Sequence, residues 1–253
     1  MTFDLQIFGG SGAGSGRKKG GGGGTPSGIT YEEFMKMSED ERYDFMEKII
    51  NDPNIAVPNY LDKSITSKVM YGLGMNGKPE VVSDAELDKI AGVDLYRSVI
   101  NSKDPSMTSQ EILDQIRTSD YTRLSGDRSS HTGRALYFAD DFFGSAQYSH
   151  EEISALMMRA KISPNANVVS YRVLMNNMNG DSSFFDKNIG ADSRPDKIAL
   201  YAIAHGIDGW QDNISGYTMM VNRSGLIVSS TSKKIVNPTN GKYYNGWEAC
   251  PEA

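Results

Sequence analysis

Arg97 stands in the middle of VDLYRSVI (93–100), an otherwise apolar stretch that reads as a strand. An unpaired charge is costly inside such a strand, so the guanidinium must meet an internal carboxylate or bind an anion. Tyr96 and Ser98 add polar atoms at the same place. Further along, GRALYFADDFFGSAQYS (133–149) joins a short apolar strand, Leu136-Tyr137-Phe138-Ala139, to a helical turn carrying Ser145 and Tyr148. Asp140 and Asp141 fit the N-cap of that turn, because a carboxylate there accepts from otherwise unpaired helix amides. Near the C-terminal third, Gln211-Asp212 precedes another strand, GYTMMVNR (216–223), which itself holds no acid. His131, His150 and His205 are too far apart and too irregularly patterned to point to zinc, and each reads as a structural histidine. Cys250 is the sole cysteine, which excludes an internal disulfide and any cysteine-built metal site and fits a reducing, cytoplasmic origin.

These residues need a scaffold, and the composition allows one. Apolar residues make up 38% of the 253 positions, with 9% aromatics, enough for a proper core. No run approaches the roughly 20 apolar residues of a membrane helix, and a secretory signal is not expected. The net charge of -6 argues against binding a phosphate backbone as the main task, and only Arg17-Lys18-Lys19 forms a basic run. Nucleic acid and membrane are therefore not expected as partners.

Along the chain, MTFDLQIF (1–8) alternates apolar and polar residues like a short strand or docking peptide. Residues 9–28 are glycine-rich and read as a flexible tether. The Gly20–Gly24 run lacks the Gly-Lys-Ser/Thr ending of a phosphate loop. The pair reads equally as a docking tip on a leash or as a tail of no consequence. Capping-box spacings at Thr30/Glu33 and Ser38/Glu41 predict two helices before Asp52-Pro53, a third is expected over 60–72, and Ser83 caps one over 84–90. Residues 29–91 thus read as a helical subdomain. From 92 to 236 short strands alternate with helices without a regular βαβ repeat, which predicts an α+β fold, followed by a tail over 237–253. Strands are expected at 93–100, 136–139, 155–162, 209–211, 217–222 and 226–228, with helices at 108–117, 170–178 and 195–205.

LYRSV (95–99), GRALYFADDFFGSAQY (133–148), ALMMRAKISPNANVVSY (155–171) and HGIDGWQDNISGYTMMVNRSGLIV (205–228), in that order, resemble the ADP-ribosyltransferase family over about residues 92–230. The resemblance implies a split β-sandwich with flanking helices and NAD as substrate. It assigns Arg97 to the phosphate or ribose oxygens, Ser98 backbone groups to the carboxamide, and Tyr137 and Tyr148 to the two faces of the nicotinamide ring. Phe138 and Ala139 complete the second motif, and Ser145 is the small residue between the tyrosines. Family members carry a glutamate in the late strand. That strand holds none here, and the likeness to divergent phage-borne members with an aspartate in such a Gln-Asp pair implies Asp212 as the acid, with Gln211 positioning the target, unless Asp212 is a turn residue before Asn213.

The activity expected is mono-ADP-ribosylation of a host macromolecule, most simply a host protein, with cleavage of the nicotinamide–ribose bond. MTFDLQIFGG also resembles the N-termini of head-associated proteins of tailed phages. That likeness implies a virion-associated effector, found in the virion or the host bacterial cytoplasm and touching virion proteins through its N-terminal peptide. The alternative is a catalytically degenerate virion accessory protein that keeps the fold for structural contacts.

Overall fold

A computed structural model describes residues 25–59, 61, 63–100, 107–124, 132–187, 189 and 193–253. The N-terminal peptide, the tether through Gly24 and His131 lie outside the described residues. The architecture is α+β, with one mixed sheet of eight strands and flanking helices.

The chain opens with α1 (Tyr31–Met35), α2 (Glu39–Asn51) and α3 (Ile65–Gly72), then β1 (Glu80–Val82), α4 (Asp84–Leu87), β2 (Leu95–Val99) and α5 (Ser109–Thr118). β3 (Leu136–Ala139), α6 (Phe142–Ala146), β4 (Leu156–Ile162), β5 (Val168–Ser170), α7 (Tyr171–Gly180), α8 (Ser182–Asp186) and α9 (Arg194–Ala204) follow. β6 (Gly209–Asp212), β7 (Tyr217–Met220) and β8 (Leu226–Lys234) complete the sheet. The strand order is β1-β8-β4-β2-β3-β7-β6-β5. β1–β8 and β5–β6 are parallel pairs, and the remaining neighbours are antiparallel.

Local chemistry explains the helix starts. Thr30, Ser83 and Thr108 each receive the third-residue glutamate on their backbone N–H, at 2.8, 2.9 and 2.7 Å, and Glu41 does the same for Ser38 at 2.8 Å. Asp141 caps α6, its Oδ1 accepting from the Gly144 amide at 2.8 Å. Asp140 is not part of that cap; its amide donates to the Gly216 carbonyl at 3.0 Å and ties α6 to the β6–β7 turn.

Three elements were not expected: β1, β5 and α8. The first two are three-residue strands, too short to show a period, and each is fixed by a parallel partner distant in sequence. The helix after Ser83 stops at Leu87, three residues before the expected end. β8 runs on past Val228 to Lys234, because its polar half pairs with β4 and packs under Trp247.

Side chains from α1, α2 and α3 share one apolar cluster with Leu95, Phe138, Leu200, Trp210 and Val228. A smaller cluster joins Phe142, Met157 and Ile235 to Trp247 and Cys250, so residues from the C-terminal segment are packed rather than trailing. No helix among the described residues is long and apolar enough to cross a membrane.

Candidate functional site

The sheet is nearly interrupted at its centre. β2 pairs with β4 over five positions, Leu95↔Ala160 through Val99↔Leu156, but with β3 at a single one, Tyr96↔Ala139. Beyond that pair the two strands part. β1-β8-β4-β2 form one half and β3-β7-β6-β5 the other. On the side of β2 that β3 leaves open, α6 takes over as partner. The Ser98 amide donates to Ser145 Oγ at 2.8 Å and the Ser98 hydroxyl donates to the Ser145 carbonyl at 2.6 Å.

A cavity of about 680 Å³ opens at this split, within the range of roughly 300–1,000 Å³ common for small-molecule sites. Arg97, Ser98, Tyr137, Phe138, Ala139, Ser145 and Tyr148 all line it. α5 supplies an apolar wall through Ile112 and Ile116, and the segment after it adds Thr122, Arg123 and Leu124. That wall is clamped from behind by the buried Arg223. Its guanidinium donates to the carbonyls of Gln115 (3.0 Å), Ile116 (2.8 Å), Ser119 (2.6 Å) and Asp120 (2.7 Å).

Arg97 donates through Nη1 to the Tyr137 carbonyl at 2.8 Å, bridging the parted strands. Burial pushes its pKa down to about 10, which still leaves it a cation at neutral pH. Arg123, exposed, is the second cation of the lining. No aspartate or glutamate lines the cavity among the described residues.

The aromatic residues are held individually. Tyr137 donates its hydroxyl proton to the Gly133 carbonyl and lies 3.0 Å from the Thr132 hydroxyl. Gly133 is required at the entry to β3. Its φ is +105°, and a Cβ there would lie 2.5 Å from Trp210 Cζ2. Trp210 in turn donates to the Thr132 carbonyl at 2.7 Å. Tyr148, 54% exposed, meets Tyr217 edge-on with ring centroids 5.9 Å apart, and its hydroxyl donates to that of Tyr217 at 2.8 Å. Burial and that hydrogen bond push the Tyr217 pKa up to about 12.

Two placements differ from the expected roles. The Ser98 amide, assigned to a carboxamide, already donates to Ser145 Oγ, and Ser145 is a buried strut between α6 and β2 rather than an open gap. Gln211 and Asp212 lie at the end of β6 and do not line the cavity. Asp212 Oδ1 accepts from the Ile214 amide at 3.1 Å and Oδ2 from the Ser215 hydroxyl at 2.7 Å, which makes it the hub of the β6–β7 turn. Gln211 Nε2 donates to Thr218 Oγ1 at 3.2 Å. Asp212 nevertheless sits in register with Tyr217, whose side chain is a cavity wall.

Sequence reasoning missed Tyr217, Arg123 and Gln115 as lining residues. Tyr217 opens a strand that was expected, but only its pairing with β3 carries it to the split. No family model, curated protein or solved structure matches the chain.

Proposed function

We propose that the chain is an NAD-dependent mono-ADP-ribosyltransferase with a split-sheet fold of that family's kind, acting on a host macromolecule. One observation carries the reading. All seven residues expected to bind NAD, drawn from three elements and the turn that extends one of them, line a single cavity.

In this reading Arg97 meets the dianionic pyrophosphate with a permanently charged fork. Tyr137 and Tyr148 flank the nicotinamide, whose cationic ring is drawn to aromatic faces. Breaking the bond between C1′ and the ring nitrogen leaves the electron pair on neutral nicotinamide and an oxocarbenium-like ribose. Asp212, in register with the cavity-wall residue Tyr217, is the carboxylate assigned to stabilise that cation electrostatically. The acceptor nucleophile then bonds to C1′ and gives up its proton to solvent.

The alternative is a virion accessory protein that keeps the cavity without transfer chemistry. It is favoured by the absence of a carboxylate among the described lining residues and by the engagement of Asp212 within its own turn. Incubation with labelled NAD and host lysate separates the two. Transferase action predicts free nicotinamide and a labelled acceptor from the wild type, reduced about 10²–10³-fold in Asp212→Ala. Neither product from the wild type would leave the accessory reading standing.

A further inference from the structure

Away from the cavity, Glu39, Asp181 and His205 converge from three elements. Glu39 opens α2, Asp181 caps the N-terminus of α8, and His205 ends α9. One ligand atom from each lies within 4.8 Å of the others. His205 Nε2 is 3.9 Å from Asp181 Oδ2, and Nδ1 is 4.0 Å from Glu39 Oε2.

The positions of these groups are fixed by neighbours. Asp181 Oδ1 accepts from the Phe184 amide at 3.0 Å, leaving Oδ2 for the cluster. The His205 ring packs on Tyr201 with centroids 4.1 Å apart. Tyr43, one turn after Glu39, donates its hydroxyl to Asp181 Oδ2, while its oxygen lies 2.8 Å from His205 Nε2. Arg42 donates through Nη1 to the Met37 carbonyl at 3.1 Å, near enough for its charge to act on His205.

Tyr43 has one proton for two acceptors. With that proton on Asp181 and the imidazole neutral, Nε2 carries the ring hydrogen and donates to the tyrosine oxygen. Nδ1 is left with a lone pair facing the Glu39 carboxylate. That lone pair and the carboxylate, about 4 Å apart with a second carboxylate beside them, are donors that one cation can share. Zinc bonds nitrogen and oxygen at about 2.0–2.2 Å, so tetrahedral ligand atoms lie about 3.4 Å apart, and side-chain rotation would have to draw in atoms that now lie within 4.8 Å of one another.

We propose that Glu39, Asp181 and His205 bind one divalent transition-metal ion of the zinc type, with solvent as the fourth ligand, clamping α2 to the α8–α9 corner. Glu39 is half exposed, which gives the ion a path from solvent. One nitrogen and two carboxylates match such an ion, whereas calcium takes six to eight oxygens. Sequence spacing is blind to this set, because its members lie in three separate parts of the chain.

Calorimetric titration of the chelator-treated full chain with zinc, and with calcium in parallel, tests the proposal. The expected result is one zinc equivalent, a melting temperature that rises with zinc, and far weaker calcium binding. Glu39→Gln and His205→Gln each lower zinc affinity at least tenfold, while His150→Gln leaves it unchanged. Should His205→Gln fail to fold, Glu39→Gln still decides, since its side chain is half in solvent. No zinc binding below millimolar concentration, calcium binding as tight as zinc, or unaltered affinity in Glu39→Gln would overturn it.

Discussion

Replacing Arg223 with methionine removes the clamp on one wall of the cavity. The guanidinium is buried and donates to four carbonyls at and beyond the C-terminus of α5, where orphan carbonyls need partners. Burial pushes its pKa down to about 10, so it is charged in the folded protein. Taking away one side of a buried charged network costs about 3–5 kcal/mol, because the carbonyls left behind stay desolvated. For a chain of this size each kcal/mol shifts Tm by about 2–4 °C, so the variant should melt roughly 6–20 °C below the wild type. Calorimetry at neutral pH measures it, with Arg223→Lys as a partial rescue, since a single ammonium cannot reach all four carbonyls. A loss below about 1 kcal/mol would show that the carbonyls find water instead, and that α5 is held by its apolar face alone.

Gly133→Ala should cost about 2–5 kcal/mol in urea denaturation. The new Cβ meets Trp210 at 2.5 Å and Ile198 at 2.9 Å, and φ of +105° adds backbone strain. Acid should weaken the fold through its helix caps: hydrogen bonds from Thr30, Ser38, Ser83 and Thr108 hold Glu33, Glu41, Glu86 and Glu111 below the ordinary 4.5. A depressed carboxylate stabilises above its unfolded pKa and ceases to as pH falls through the folded one. Tm should therefore drop below about pH 4.5, and replacing the four by glutamine should flatten that part of the profile.

Much of the scaffold was legible because it is written in local chemistry. Capping boxes announce α1, α2 and α5 at fixed three-residue offsets, the Ser83 N-cap announces α4, and Leu136–Ala139 reads as a strand from its own side chains. β1 and β5 were illegible because three residues show no period, and the polar end of β8 because its burial comes from β4 and Trp247. The cavity residues were legible as motifs. What they do to one another was not: the Ser98–Ser145 strut and the Tyr148–Tyr217 contact depend on where β2 and β3 separate. Asp212 shows the limit most clearly. Its residue type fits both a turn and a catalytic acid, and only the hydrogen bonds to Ile214 and Ser215 reveal that the turn already uses it.

The proposed NAD site at the split between β2 and β3 is built on Arg97. Calorimetric titration of NAD into the wild type and Arg97→Met tests it most directly. Such a site predicts saturable one-to-one binding, weakened about tenfold to 150-fold in the variant, the equivalent of one charge-assisted hydrogen bond of about 1.5–3 kcal/mol. No binding to the wild type, or equal affinity in Arg97→Met, would contradict it.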